Sequence, residues 1–125
     1  MIRYLIDANC VVYAMAGDHD RLVQRIAECN AGTIALSTIS YAEVAYGTFV
    51  GKPPSPEVLD AFTNAIPLVA FDEAAARTYA QLPFRRARFD RLLAAHALSM
   101  GAIVITANEA DFADVPGLTV ENWTL

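Results

Sequence analysis

The chain has a single lysine, only two cysteines, and no apolar run approaching the roughly eighteen residues of a membrane-spanning helix. Its opening, Met-Ile-Arg-Tyr-Leu-Ile-Asp, lacks a basic stretch followed by a long apolar one, so no secretory signal is expected. Cys10 and Cys29 form no C-x-x-C pair and stand among apolar, helix-like residues. That predicts two reduced core thiols in a cytoplasmic protein rather than a disulfide framework. No histidine–cysteine spacing suits zinc. No Walker loop, Gly-x-Gly-x-x-Gly or Ser-His-Asp order is present. Repeats, low-complexity stretches and linkers are missing too, and 125 residues suit a single domain over 1–125.

What is abundant is apolar surface: 55% of the residues are hydrophobic and the mean hydropathy is +0.33. In a soluble domain this surplus suggests self-association or a partner that covers some of it. The net charge of −5 argues against a nucleic-acid coat protein. It leaves room for an enzyme acting on nucleic acid, if positive charge is concentrated locally. Arg85, Arg86, Arg88 and Arg91 provide such a concentration, being four of the nine basic residues and flanking Asp90. The alternative for them is a solvated turn before a helix.

Short apolar runs alternate with helical spacing along the chain. Strands are expected at 2–6, 33–36, 67–70, 102–106 and 118–120. Helical segments are expected at 9–16, 20–29, 37–49, 57–65, 72–82 and 90–100, with a helical turn at 108–112. Asp18 or Asp20 could cap the second helix, Asp72 could start a later one, and Gly17, Gly51 and Gly101 are stops. Lys52-Pro53-Pro54-Ser55-Pro56 must be a loop. This alternation predicts an α/β sandwich around a mostly parallel sheet.

Four acids stand at the edges of apolar segments. Asp7 ends the first strand, Glu43 lies in the helix after the second, Asp90 opens the helix leading into the fourth, and Asp111 follows that strand. In an open parallel sheet the C-terminal strand ends share one edge, where ligands bind. Converging carboxylates repel and take up protons unless a cation compensates them. Mg²⁺ or Mn²⁺ suits an all-oxygen donor set and could activate water against a phosphodiester. Each acid also has a structural explanation: Asp7, Asp90 or Asp111 as a helix cap, and Glu43 in a Ser40–Glu43 capping box. His96 is expected to be a packed, hydrogen-bonded core residue, and Trp123 core or interface.

The stretch Phe89-Asp90-Arg91-Leu92-Leu93-Ala94-Ala95-His96-Ala97-Leu98, then Gly101–Thr106, Asn108, Asp111-Phe112, Val115–Leu118 and Val120-Glu121-Asn122-Trp123, resembles PIN-domain ribonucleases of the VapC toxin type. Tyr4–Asn9 and Leu36–Val44 fit the same family. The resemblance implies a PIN-like three-layer sandwich and a metal-dependent endoribonuclease, the toxin of a toxin–antitoxin pair. It further implies an RNA substrate, a cognate antitoxin protein and a homodimer, with no membrane. By resemblance Asp7, Glu43, Asp90 and Asp111 are the metal-binding and catalytic acids, with Asn9 and Thr106 in support. Two departures are visible: Ala8 where the family often has Thr or Ser, and Ala107 in place of a frequent polar residue. Substrate steering by Arg85, Arg86 and Arg88 rests on their charge alone, because this stretch varies in the family. The rival readings are a Mg²⁺-dependent phosphatase, disfavoured by Asn9 two residues after Asp7 and by the lone Lys52, and a non-catalytic interaction module.

Overall fold

The computed structural model describes residues 1–83 and 89–125. Five strands form one sheet in the order β3-β2-β1-β4-β5: β1 (Tyr4–Ile6), β2 (Ile34–Ser37), β3 (Leu68–Val69), β4 (Ile103–Ile105) and β5 (Val120–Glu121). Every pairing between them is parallel, so the expected mostly parallel sheet is parallel throughout. Six α-helices connect the strands: α1 (Ala8–Ala16), α2 (Asp20–Glu28), α3 (Thr38–Phe49), α4 (Pro56–Ala65), α5 (Glu73–Ala80) and α6 (Phe89–Met100). A 3₁₀ turn, η1, covers Glu109–Phe112. Among the described residues no helix is long and apolar enough to cross a membrane.

Alternation along the short strands builds two cores. Leu5, Ala35 and Val104 face one side, where they pack with Leu93, Ala94 and Ala97 of α6 and with Leu82 and Phe112. Ile6, Ile34, Leu36 and Ile105 face the other, against Cys10 and Val11 of α1, Leu22 of α2, Val44 of α3, Leu59 of α4 and Trp123. Period-two patterning thus makes a three-layer sandwich with both sheet faces covered. Most strands are shorter than the apolar runs, whereas β2 keeps four residues shifted by one. Arg3 and Tyr4, at the start of β1, both donate their N–H to the Thr33 carbonyl.

Local signals account for most helix ends. Asp7, Ser37, Ser55 and Asp72 each accept a backbone N–H in the first turn of the helix they precede. Gly17 stops α1 in a left-handed conformation (φ 72°) that a residue with a Cβ adopts at a cost. The start of α2 corrects the expectation: its N-cap is His19, which makes no side-chain cap bond, so neither Asp18 nor Asp20 caps it. Asp20 instead lies in the first turn, where its charge favours the positive end of the helix. Ser37 as the α3 cap also rules out the Ser40–Glu43 capping box and leaves Glu43 in the helix interior.

Leu5 is fully buried in the central strand, so Leu5→Ala is expected to lower unfolding free energy by about 2–5 kcal/mol. Urea denaturation measures this. A loss below about 1 kcal/mol would place Leu5 outside a tightly packed core.

Candidate active site

The order of the strands puts a topological switch between β1 and β4: the chain steps from β1 outward to β3, then returns to the other side of β1. Crevices open at the C-terminal ends of strands at such a point. Asp7 leaves β1 there, its backbone N–H donating to the Ile105 carbonyl at 2.9 Å. Thr106 leaves β4 beside it, fully buried. The Thr106 side chain stands near enough to the Asp7 carboxyl to favour its ionised form. Its Oγ1 also accepts the Asn108 N–H at 3.0 Å, which shapes the turn into η1.

Asp7 has two jobs at once. Its Oδ1 accepts the Cys10 N–H at 2.8 Å, so it caps α1. It is also drawn into an interacting set of acids. Burial pushes its carboxyl above the ordinary value. Thr106 and Cys10 pull the other way, and the Asp111 charge adds to the rise. Glu43, half-buried on α3, is pushed up to about 7, first by burial, then by the charges of Asp90 and Asp7. Asp90 lies inside the first turn of α6, and Asp111 inside η1, exposed. Glu43 therefore feels the charges of Asp90 and Asp7, and Asp7 feels that of Asp111. Asn9 is exposed at the start of α1 and lines a groove of about 270 Å³ with Glu43, Tyr46, Lys52 and Pro53.

The neighbouring packing fixes the helices that carry these acids. His96, six residues beyond Asp90 on α6, is 2% exposed, and its Nδ1 lies 2.8 Å from the Ser37 hydroxyl. Since Ser37 Oγ accepts the Ile39 N–H, its own hydrogen is free to go to His96. Burial lowers the imidazole pKa, against the charge of Asp72 and a bond to the Ala70 backbone, and so favours the neutral ring. The core histidine expected from its apolar surroundings is therefore a joint between α3 and α6.

Two participants escaped the sequence. The Cys10 thiol is held well above its usual pKa by burial and by the adjacent Asp7 carboxylate, so it stays protonated. Its spacing of three from a helix-capping aspartate was the available signal. Arg91, grouped by sequence with the arginines before Asp90, is 5% exposed and pairs with Asp114 rather than facing solvent. Arg85, Arg86 and Arg88 lie outside the described residues.

A divalent cation is the group the family implies for such acids. Among the described residues, no three His, Cys, Asp or Glu side chains form a closed metal-holding group. The donor chemistry nevertheless fits Mg²⁺ or Mn²⁺, because these ions keep several waters and need only one or two carboxylates directly. Burial first, and then neighbouring negative charge, raise Asp7 and Glu43, so a cation bound beside them would be favoured.

Glu43 binds a proton more tightly in the folded than in the unfolded chain. The metal-free protein should therefore lose stability as pH rises from about 4.5 toward 7, Asp7 acting in the same direction. Glu43→Gln should remove most of that slope in thermal melts recorded across this range. An unchanged slope would mean that Glu43 does not titrate there.

Residues 4–118 match the family model for the PIN domain. The tRNA(fMet)-specific endonuclease VapC of Shigella flexneri is 28% identical, with 99% of this chain aligned to 100% of that protein. Ribonuclease VapC2 of Rickettsia felis is 30% identical over 96% of this chain and 97% of its own length. The crystal structure of VapBC2 from Rickettsia felis, bound to a DNA fragment from its promoter, contains a chain that superposes with a TM-score of 0.86. That chain is 28% identical, with 98% of this chain and 99% of the other covered. With the family model spanning nearly the whole chain and the parallel sheet carrying its acids at the switch point, this protein belongs to the PIN-domain family.

Proposed function

We propose that this chain, a single PIN domain over residues 1–125, is a Mg²⁺- or Mn²⁺-dependent endoribonuclease and the toxin of a toxin–antitoxin pair. The observation that carries the reading is the interacting set Asp7, Glu43, Asp90 and Asp111 at the C-terminal edge of the sheet, with Glu43 raised to about 7. A structural ion-pair network would hold carboxylates down through nearby cations; here burial and like charge drive the two resolved shifts up.

Asp7 and Asp90 are the direct ligands in this reading, Glu43 a ligand or the group that orients a bound water, and Asp111 the acid of a second, weaker position. The bound cation would supply Lewis acidity toward a phosphoryl oxygen and a more acidic water. Asp7 is held ready by Thr106 and Cys10, which fix its carboxyl without neutralising it. Glu43, raised to about 7 in the metal-free chain, would be drawn down by a bound cation and so stand ready as an ionised acceptor for the attacking water's proton. Asn9 stands on the groove beside Glu43, placed to meet the RNA strand.

The partner is a small antitoxin protein, as the VapBC name of the Rickettsia felis complex suggests, and the toxin is a homodimer in the cytoplasm. Tyr46 at 69% and Phe49 at 86% exposure leave apolar surface on α3 for a protein to cover. Arg85, Arg86 and Arg88 serve the RNA backbone. An enzyme of net charge −5 repels RNA at long range, so productive approach needs local positive charge beside the acids.

Asp7→Asn should abolish metal-dependent RNA cleavage, by more than about a hundredfold, while circular dichroism shows the fold intact. The metal-free variant should melt at the parental temperature or above it, since one member of a repelling set is gone. Parental cleavage by this variant would remove Asp7 from the site. Replacing Arg85, Arg86 and Arg88 together with alanine should weaken RNA binding and flatten its dependence on salt, leaving metal affinity nearly unchanged. Equal RNA affinity at low and high salt would return these arginines to a solvated surface, and loss of antitoxin binding alone would assign them to that interface.

A further inference from the structure

We infer that Arg91 is a positioning residue, which with Asp114 sets the placement of Asp111 relative to Asp90. Arg91 follows Asp90 directly on α6, yet its side chain runs to the segment after β4. Its Nη1 lies 2.8 Å from Asp114 Oδ1 and donates to the backbone carbonyl of Asp111 at 2.9 Å; its Nη2 donates to Asp114 Oδ2 at 3.1 Å. The guanidinium fork thus holds both carboxylate oxygens and the carbonyl of the very residue that carries an active-site acid. A planar group with fixed donor directions does this, and a lysine ammonium does not.

The burial is one-sided. The Arg91 side chain is 6% exposed, whereas that of Asp114 is 49% exposed. A cation taken almost wholly from water needs its charge and donors answered, and the turn holding Asp111 and Asp114 provides the answer. η1 is a four-residue turn tied to β4 by the Thr106 hydroxyl at Asn108, to the chain end by Asn122 at Glu109, and to the core by Phe112. The Arg91 fork is its side-chain hydrogen bond to α6 among the described residues. Phe112 anchors the turn to the core, the Arg91 fork fixes its backbone to α6, and small misplacements of catalytic groups are costly.

The effect on catalysis rests on the ribonuclease reading above; the placement itself does not. Arg91→Lys and Asp114→Asn are the variants, the second being on the half-exposed partner and therefore the safer to fold. Amide hydrogen exchange should quicken at Asp111, Ala113 and Val115, whose N–H groups bond within this turn, and stay unchanged at Leu5 and Val104. Cleavage should fall about tenfold or more in kcat with little change in KM. In an Asp111→Asn background the same two substitutions should cost nothing further, because a residue acting through Asp111 has nothing left to place. Unchanged exchange in the turn, or an equal fold-loss with and without Asp111, would overturn the proposal. A parent protein that cleaves no RNA would count against the ribonuclease reading, while the exchange measurement would still decide the clamp.

Discussion

The parallel register between β1 and β4 is the constraint on which the site depends. Leu5 lies opposite Val104 and Ile6 opposite Ile105, so Asp7 and Thr106 emerge side by side at the same height. A slip of one residue would turn Ile6 and Ile105 to the wrong face and carry Asp7 away from the Thr106 hydroxyl. The two apolar cores on either side of three-residue strands enforce that register more strictly than the few ladder bonds could. Burial of Leu5, Ile6, Val104 and Ile105 is therefore also what aims the carboxylate.

The same burial works against the ionised acids. Desolvation is the largest cause of the upward shifts at both Asp7 and Glu43, and neighbouring negative charge adds to it. The fold tolerates this because Asp7 is answered locally by the Cys10 N–H, the Cys10 thiol and Thr106, while Asp111 stays exposed. A site strained in this way is a natural place for a cation to bind, since an ion would relieve repulsion already built into the metal-free chain.

Much of this was legible in the residues. Strand positions followed from β-branched runs, the sandwich from their alternation with helices, and the placement of Asp7 at the end of β1 and Asp111 after β4 from parallel strands. The start of α2 was not legible, because His19 occupies a cap position without any capping bond while two aspartates beside it look better suited. For Arg91, pairing with a nearby acid was an open alternative to facing the RNA, but which acid was not legible. Its partner lies twenty-three residues away, and no periodicity links a helix to an irregular turn across a core. Charge clustering in sequence grouped Arg91 with the arginines before Asp90, whereas burial separates it from solvent. Pairings of this kind are set by tertiary approach, which local pattern does not encode.

The bond between Ser37 and His96 has a geometric consequence. Glu43 lies six residues beyond Ser37 on one helix, and Asp90 six residues before His96 on the other. At 1.5 Å per residue each acid sits on an arm of about 9 Å from that joint. A tilt of roughly 6° there would shift either carboxylate by about 1 Å, a displacement large enough to matter to chemistry. The buried imidazole therefore acts as a fulcrum, and the gap between two acids on separate helices is governed by a contact that touches neither.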